Sequence, residues 1–324
     1  MIGSIAGDMI GSCFEFDNTD TEDFGPLFSK NSVLTDDTVL TVATADLIVN
    51  KTKGKISDRY LYWAKKYESR GYGGYFLKMI KANKLEPYDS YGNGSAMRIS
   101  PVGWVLSATA DPQDRSQGFD ILFDKTMTAA EKSASCTHNH PEGVKGAKAV
   151  AGSIFLARRY GIEEVKGKIA TFITRLGYEI EKLEDFEPGK FDVTCQGTIP
   201  RCIAVVLETN DFEDAMRKAV ALGGDVDTNC CIVGAICEAM YGLPEGLVEE
   251  VYKRLPRDMA DVVTAFTRQY VDNDFVEPEE VWTMQATFEE IYPPEERKKR
   301  KEVKKQAAAE KLGQALEEAK TGKL

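Results

Sequence analysis

The sequence predicts an all-α protein. Period-two alternation of apolar and polar residues, the mark of a half-buried strand, is nearly absent. Two runs, residues 39–49 and the stretch after Thr228, are apolar on nearly every face, as buried helices are. Gly, Pro and charged segments divide most of the remaining chain into helix-length pieces. With 324 residues, 43% hydrophobic and 29% charged, the chain can hold one large domain or two small ones.

The opening element, residues 1–16, carries Gly3, Gly7 and Gly11 at every fourth position. On a helix these form one small-residue stripe that lets another backbone approach closely. Glu15 ends the element between Phe14 and Phe16. It reads either as a solvated edge residue or as a buried acid with a raised pKa. Residues 17–33 are polar and form a loop. Thr35, Asp36, Asp37 and Thr38 then stand before the first apolar run, where Asp and Thr serve as helix caps. Residues 57–69 and 74–82 are helix-like. Gly92, Asn93, Gly94 and Ser95 mark a turn. This is either a plain connection or a set of backbone N–H groups presented to an anion at a helix start.

Residues 120–132 are helical, and an Ala/Gly-rich helix follows over 142–160. The chain's two histidines, His138 and His140, lie just before it. Thr137 or Asn139 is expected to cap this helix, with Pro141 in its first turn. Residues 181–194 form an exposed loop, and 195–207 and 212–222 are helices. Gly223, Gly224, Asp225, Val226, Asp227 and Thr228 then repeat the earlier arrangement, with acids and a Thr before a helix that is apolar nearly all round. Gly242, Leu243 and Pro244 end that helix. Two amphipathic helices follow, at 247–257 and 259–271. Pro293 and Pro294 break the chain before a Lys/Glu/Ala-rich segment. The expected organisation is one domain over 1–294 and a charged helical tail over 295–324, which packs on the surface, frays or binds a partner.

The net charge is −11, unevenly spread. From residue 295 onward there are ten Lys/Arg and six Asp/Glu, a net of +4, so the body carries about −15 by subtraction. An acidic body argues against nucleic-acid binding by the main domain. It also means that an anionic substrate needs cations or helix N-termini to hold it. No basic leader with an apolar core and no long uncharged apolar run is visible, so neither a signal peptide nor a membrane span is expected. The seven cysteines are odd in number and contain no CxxC pair, which fits a reduced, cytoplasmic setting.

The two acid-loaded helix starts suggest one site. Helices buried on every face are central in a bundle, so Thr35, Asp36 and Asp37 can meet Asp225, Asp227 and Thr228. Carboxylates converging in a buried place repel one another and lose solvation. Divalent cations remove both problems, and all-oxygen donors suit Mg²⁺ or Mn²⁺. These six side chains can hold two ions, roughly 3.5–4 Å apart in a two-metal catalytic site.

Four motifs occur in order: Gly-Asp-x-x-Gly-Ser-x-x-Glu from Gly7 to Glu15, Thr-Asp-Asp-Thr from Thr35 to Thr38, Gly-Asn-Gly-Ser-Ala-Met-Arg from Gly92 to Arg98, and Gly-Gly-Asp-x-Asp-Thr from Gly223 to Thr228. Together they resemble the ADP-ribosylglycohydrolase family. Thr-His-Asn-His-Pro-Glu-Gly, from Thr137 to Gly143, looks like a bacterial branch of it. The resemblance implies a compact orthogonal bundle with a dinuclear Mg²⁺ site at the N-termini of buried central helices. It implies metal ligands at Thr35, Asp36, Asp37, Asp225, Asp227 and Thr228, and catalytic carboxylates at Glu15 and Asp37. It also implies substrate contacts at Gly92, Asn93, Gly94, Ser95 and His138, with Arg98 either a phosphate contact or a structural ion pair. The implied substrate is an ADP-ribosylated protein or small molecule, handled by a monomer or weak homodimer. Val226 departs from the family, which often has Thr or Ser there. Other readings are a helical Mg²⁺-dependent nucleotide pyrophosphohydrolase and a non-catalytic ADP-ribose-binding or structural relative. The first would carry its acid pairs on helix faces rather than before helices.

Overall fold

The computed structural model describes residues 1–51, 54–108 and 117–279. In chain order the helices are α1 (Ile2–Gly11), α2 (Asp36–Val49), α3 (Ile56–Lys66), α4 (Gly74–Lys81), α5 (Gly94–Met97), α6 (Ser100–Ala108), α7 (Gln117–Ser135), α8 (Pro141–Ala157), α9 (Ile162–Arg175), α10 (Cys195–Glu208), α11 (Phe212–Leu222), α12 (Val226–Tyr241), α13 (Leu247–Tyr252) and α14 (Arg257–Tyr270). No strand forms among the described residues, and a single antiparallel bridge joins Gly92 to Thr194. The all-α expectation is met. Helix α9, which no motif flags, was not anticipated. Its Val165, Ile169 and Ile173 form a buried stripe at helical spacing. The expected tail over 295–324 lies outside the described residues.

The core is organised by the glycine stripe of α1. A Cβ added at Gly3, Gly7 or Gly11 would lie 2.6, 2.0 and 2.4 Å from the carbonyl oxygens of Gly234, Cys230 and Val226. Helices α1 and α12 therefore run antiparallel with their backbones in contact, and only glycine permits that spacing. The Glu238 carboxylate closes the far end by accepting from the N–H groups of Ile2 at 3.2 Å and Gly3 at 3.0 Å. Helix α12 also packs on α8, α10 and α11, while α2 packs on α1, α3, α6 and α14. Neighbours on every side explain why both helices are apolar nearly all round. Cys202, Cys230, Cys231 and Cys237 are buried here as free thiols. No helix among the described residues is long and apolar enough to cross a membrane.

Helix ends follow local chemistry. Thr35 caps α2, its hydroxyl accepting from Asp37 N at 3.3 Å. The cap of α8 is His140, not Thr137 or Asn139: His140 Nδ1 accepts from Glu142 N at 3.1 Å. Asn139 Oδ1 is occupied by Asp89 N at 2.7 Å, and the Thr137 hydroxyl faces inward. Pro141 takes the first helical position, as expected. Gly223 and Gly224, at φ of +69° and +88°, make the turn into α12.

Candidate metal centre

The stripe that seats α1 on α12 also carries Asp8 to the start of α2. This carboxylate is fully buried and accepts from Thr35 N at 2.9 Å, Thr35 Oγ1 at 2.7 Å, Thr38 N at 3.1 Å and Thr38 Oγ1. It thereby satisfies N–H groups that a helix start leaves unpaired. Burial, and then the Asp227 charge, push Asp8 up to about 7, against the pull of the threonine hydrogen bonds.

Asp37 projects from the first turn of α2. Its Oδ2 lies 3.2 Å from Thr35 Oγ1 and, across the chain, receives a hydrogen bond from Thr228 Oγ1 at 3.4 Å. Its Oδ1 is buried with no hydrogen-bond partner. Burial, followed by the charges of Asp227, Asp8, Asp36 and Asp225, holds its pKa well above the ordinary carboxylate range. From α12, Asp227 Oδ1 accepts from Thr228 N at 2.9 Å. Asp225, the residue before α12, accepts from Asn93 Nδ2 at 2.7 Å, and that amide also donates to Thr198 Oγ1 at 3.0 Å.

Glu15 joins them from the turn after α1. Asn18 holds this turn, donating to Phe14 O at 2.7 Å and Glu15 O at 3.3 Å while its Oδ1 accepts from Gly224 N at 2.6 Å. Two triads result: Asp8, Asp37 and Asp227, and Glu15, Asp225 and Asp227. Within each, one oxygen per residue lies within 4.8 Å of the others. Asp227 belongs to both. A buried, mutually repelling carboxylate set with an orphaned Asp37 oxygen has the donor chemistry of a hard-cation site.

The two helix starts expected to meet do so, through Asp37, Asp225, Asp227 and the Thr228 hydroxyl. Asp36 lies outside both triads. Adjacent helical side chains diverge by about 100°, and Asp36 turns toward Gly71, where an added Cβ would sit 3.1 Å from its Oδ1. The Thr35 hydroxyl donates to Asp8 and keeps a lone pair. Asp8 is the residue that motif reading left without a role. Its signal is an acid set among Ile5, Ala6, Met9 and Ile10 in a helix otherwise built for burial.

Beside the triads lies the turn at 92–95. Gly92 N already donates to Ser90 Oγ at 3.2 Å and Asn93 N to Val193 O at 2.8 Å. Two of the four amides expected to meet an anion are thus engaged within the protein. Ser95 Oγ donates to Gly143 O at 2.7 Å and pins the turn to α8. His138 Nε2 faces this turn, 3.1 Å from where a Gly94 Cβ would sit and 3.6 Å from a Gly92 Cβ. Burial first, then the Arg98 charge, hold the imidazole well below its usual pKa, so it is neutral. Arg98 is 0% exposed. Its Nη2 donates to Ser133 O at 2.9 Å and Thr137 Oγ1 at 3.0 Å, and its guanidinium carbon lies 4.3 Å from the Tyr60 ring centroid. It is enclosed within the protein, where its Nε and Nη1 have no hydrogen-bond partner.

Fold and site together define a helical protein with a cluster of buried acids, at the starts of two central helices, that could hold a metal ion. A profile of the ADP-ribosylglycohydrolase family matches residues 1–276. The chain belongs to this family, whose class is hydrolysis of the ADP-ribose glycosidic bond. It is 23% identical over 322 residues to the ADP-ribosylhydrolase ARH3 of Danio rerio, covering 75% of this chain and 82% of that protein. Its identity to the Homo sapiens ARH3 is 22% over 316 residues, covering 76% and 85%. With the ADP-ribosylarginine hydrolase Tri1 of Pseudomonas putida strain GB-1 it is 24% over 282 residues, covering 78% and 72%. A solved structure described as an ADP-ribosylglycohydrolase-related protein complex shares the fold, with a TM-score of 0.56 at 18% identity over 83% of this chain and 96% of that one.

Proposed function

We propose that this chain releases ADP-ribose from an arginine or serine side chain of a modified protein, or from a small ADP-ribosyl metabolite, with two Mg²⁺ ions as cofactor. The observation that carries the reading is the pair of buried acid triads sharing Asp227. Thr35, Asp36, Asp37, Asp225, Asp227 and Thr228 would hold the ions, with Asp8 behind Thr35. When bound, they would neutralise the carboxylates and acidify a water, and Mn²⁺ fits the same donors.

The rest is assigned to side chains. Departure of the acceptor develops oxocarbenium character at the ribose carbon. Glu15 and Asp37 stabilise that charge and relay a proton to the leaving group. Asn93 holds Asp225 in place through its amide. His138, neutral and facing the glycine turn, offers a hydrogen bond to ADP-ribose, and Gly92 and Gly94 leave room for it. The domain spans 1–294, with a charged tail beyond it.

A panel of arginine-linked, serine-linked, nucleic-acid-linked and small ADP-ribosyl substrates, with and without Mg²⁺, tests this by release of free ADP-ribose. We expect metal-dependent release from at least one protein-type or small substrate, and none from the double variant Asp36→Ala with Asp227→Ala. Full activity of that variant would sink the proposal.

A further inference from the structure

His138 sits between neighbours that decide where its proton lies. Its Nδ1 is 2.8 Å from Thr137 Oγ1. That oxygen receives a hydrogen bond from Arg98 Nη2 at 3.0 Å. The same nitrogen donates to Ser133 O at 2.9 Å, with Cys136 Sγ flanking it at 3.8 Å. A guanidinium only donates, and it stays protonated. Arg98 therefore occupies one lone pair of the Thr137 oxygen and leaves the hydroxyl proton to find an acceptor elsewhere. Thr137 is 0% exposed, and His138 Nδ1 is the acceptor beside it. Were Nδ1 itself protonated, two donors would converge on Thr137, and its own O–H would be left only the weakly accepting Cys136 sulfur.

We infer that Arg98 and Thr137 are positioning residues that hold His138 in its Nε2–H tautomer, so that the ring presents one N–H donor toward the turn at Gly92 and Gly94. The edge carrying Nε2 faces two glycines, where an added Cβ would come within 3.1 and 3.6 Å of it. Tyr88 stands at 61° to the ring, centroids 5.6 Å apart, and fixes its plane. Since burial and Arg98 keep the ring neutral, it donates without adding charge. On the proposed function, the acceptor is a ribose or pyrophosphate oxygen of ADP-ribose. That last step rests on the functional reading, and the tautomer does not.

The chain has two histidines, so its imidazole nitrogen spectrum holds two spin systems. His140→Asn, which keeps a capping side chain, assigns them. Long-range ¹H–¹⁵N correlation on the full chain at mildly alkaline pH reads the protonated nitrogen directly. We expect Nε2 protonated and Nδ1 bare. Thr137→Val removes the hydroxyl at nearly constant shape while leaving the buried Arg98 in place, and should let the two tautomers mix. Thr137→Ser should restore the Nε2–H form. An Nδ1–H tautomer in the unmodified protein, or an undisturbed Nε2–H tautomer in Thr137→Val, overturns the inference. In a Mg²⁺-containing titration with ADP-ribose, Thr137→Val should weaken binding about tenfold. Unchanged affinity in that variant overturns the aim of the donor at the ligand. If the unmodified protein binds no ADP-ribose, the proposed function fails while the tautomer remains readable, so the two failures separate.

Discussion

Asp37 and Asp227 begin different helices far apart in the chain, yet their carboxylate oxygens lie within 4.8 Å of each other. Thr228 spans the same gap, its hydroxyl donating to Asp37 Oδ2 at 3.4 Å. Two buried carboxylates brought this close raise each other's energy when ionised. Their helices, α2 and α12, both pack on α1, which leaves them little freedom to move apart. That tension is what a divalent cation relieves.

The first prediction follows from the sign of that tension. Asp8 is raised from 3.8 to about 7, and Asp37 is raised in the same direction. A carboxyl raised on folding holds its proton in the native state after the unfolded chain has released it. Stability is then fully present below the unfolded value and falls as pH rises through the folded value. Chelated protein should lose melting temperature between about pH 4 and pH 7, and saturating Mg²⁺ should remove that loss. His138, held below its ordinary value, pulls the other way in both samples, so the difference between chelated and Mg²⁺-loaded protein isolates the acids. Scanning calorimetry across this range decides it, and parallel curves would contradict the reading.

A second prediction concerns the helix contact that makes the site. Gly7→Ala places a Cβ 2.0 Å from the Cys230 carbonyl oxygen, a backbone atom that cannot rotate away. We expect a loss of about 3 kcal/mol or more, with the acid site disrupted. Gly73→Ala is the control. Its φ is −55° and nothing lies within 4 Å of the new carbon, so its effect should stay within about 0.5 kcal/mol. Urea unfolding followed by circular dichroism compares the two.

A third prediction separates holding a ligand from touching substrate. Asn93→Ala releases Asp225 from its 2.7 Å hydrogen bond. Removing such a supporting contact costs roughly 10–100-fold in metal affinity or activity. The loss should shrink as Mg²⁺ is raised. A purely substrate-binding role would instead leave the Mg²⁺ dependence unchanged and raise KM alone.

Most of the fold was legible because its two central helices are apolar on nearly every face and its α1 glycines fall at every fourth residue. The acids of the site were legible as helix-start residues for the same reason. What the sequence hid were choices between near neighbours. Asp36 and Asp37 are adjacent and chemically equal, and only the phase of α2 decides which one points at Asp227. Thr137 and Asn139 were the competing caps until Arg98 and Asp89 claimed them from distant parts of the chain, leaving the cap to His140, which was not anticipated. Asp8 stood in a motif, but its partners Thr35 and Thr38 lie in another helix start. Arg98 was left between two roles, and its full burial against Tyr60 could not be foreseen because Tyr60 lies in a different helix.

The central claim is that the acids and threonines at the starts of α2 and α12 form a two-metal cage joined at Asp227. Its most direct test is a titration with Mn²⁺ followed by electron paramagnetic resonance. The account predicts two bound ions per chain, with spin coupling between them, and loss of both when Asp227→Asn removes the shared ligand. No Mn²⁺ bound by the unmodified protein, or two ions still held by Asp227→Asn, would contradict it.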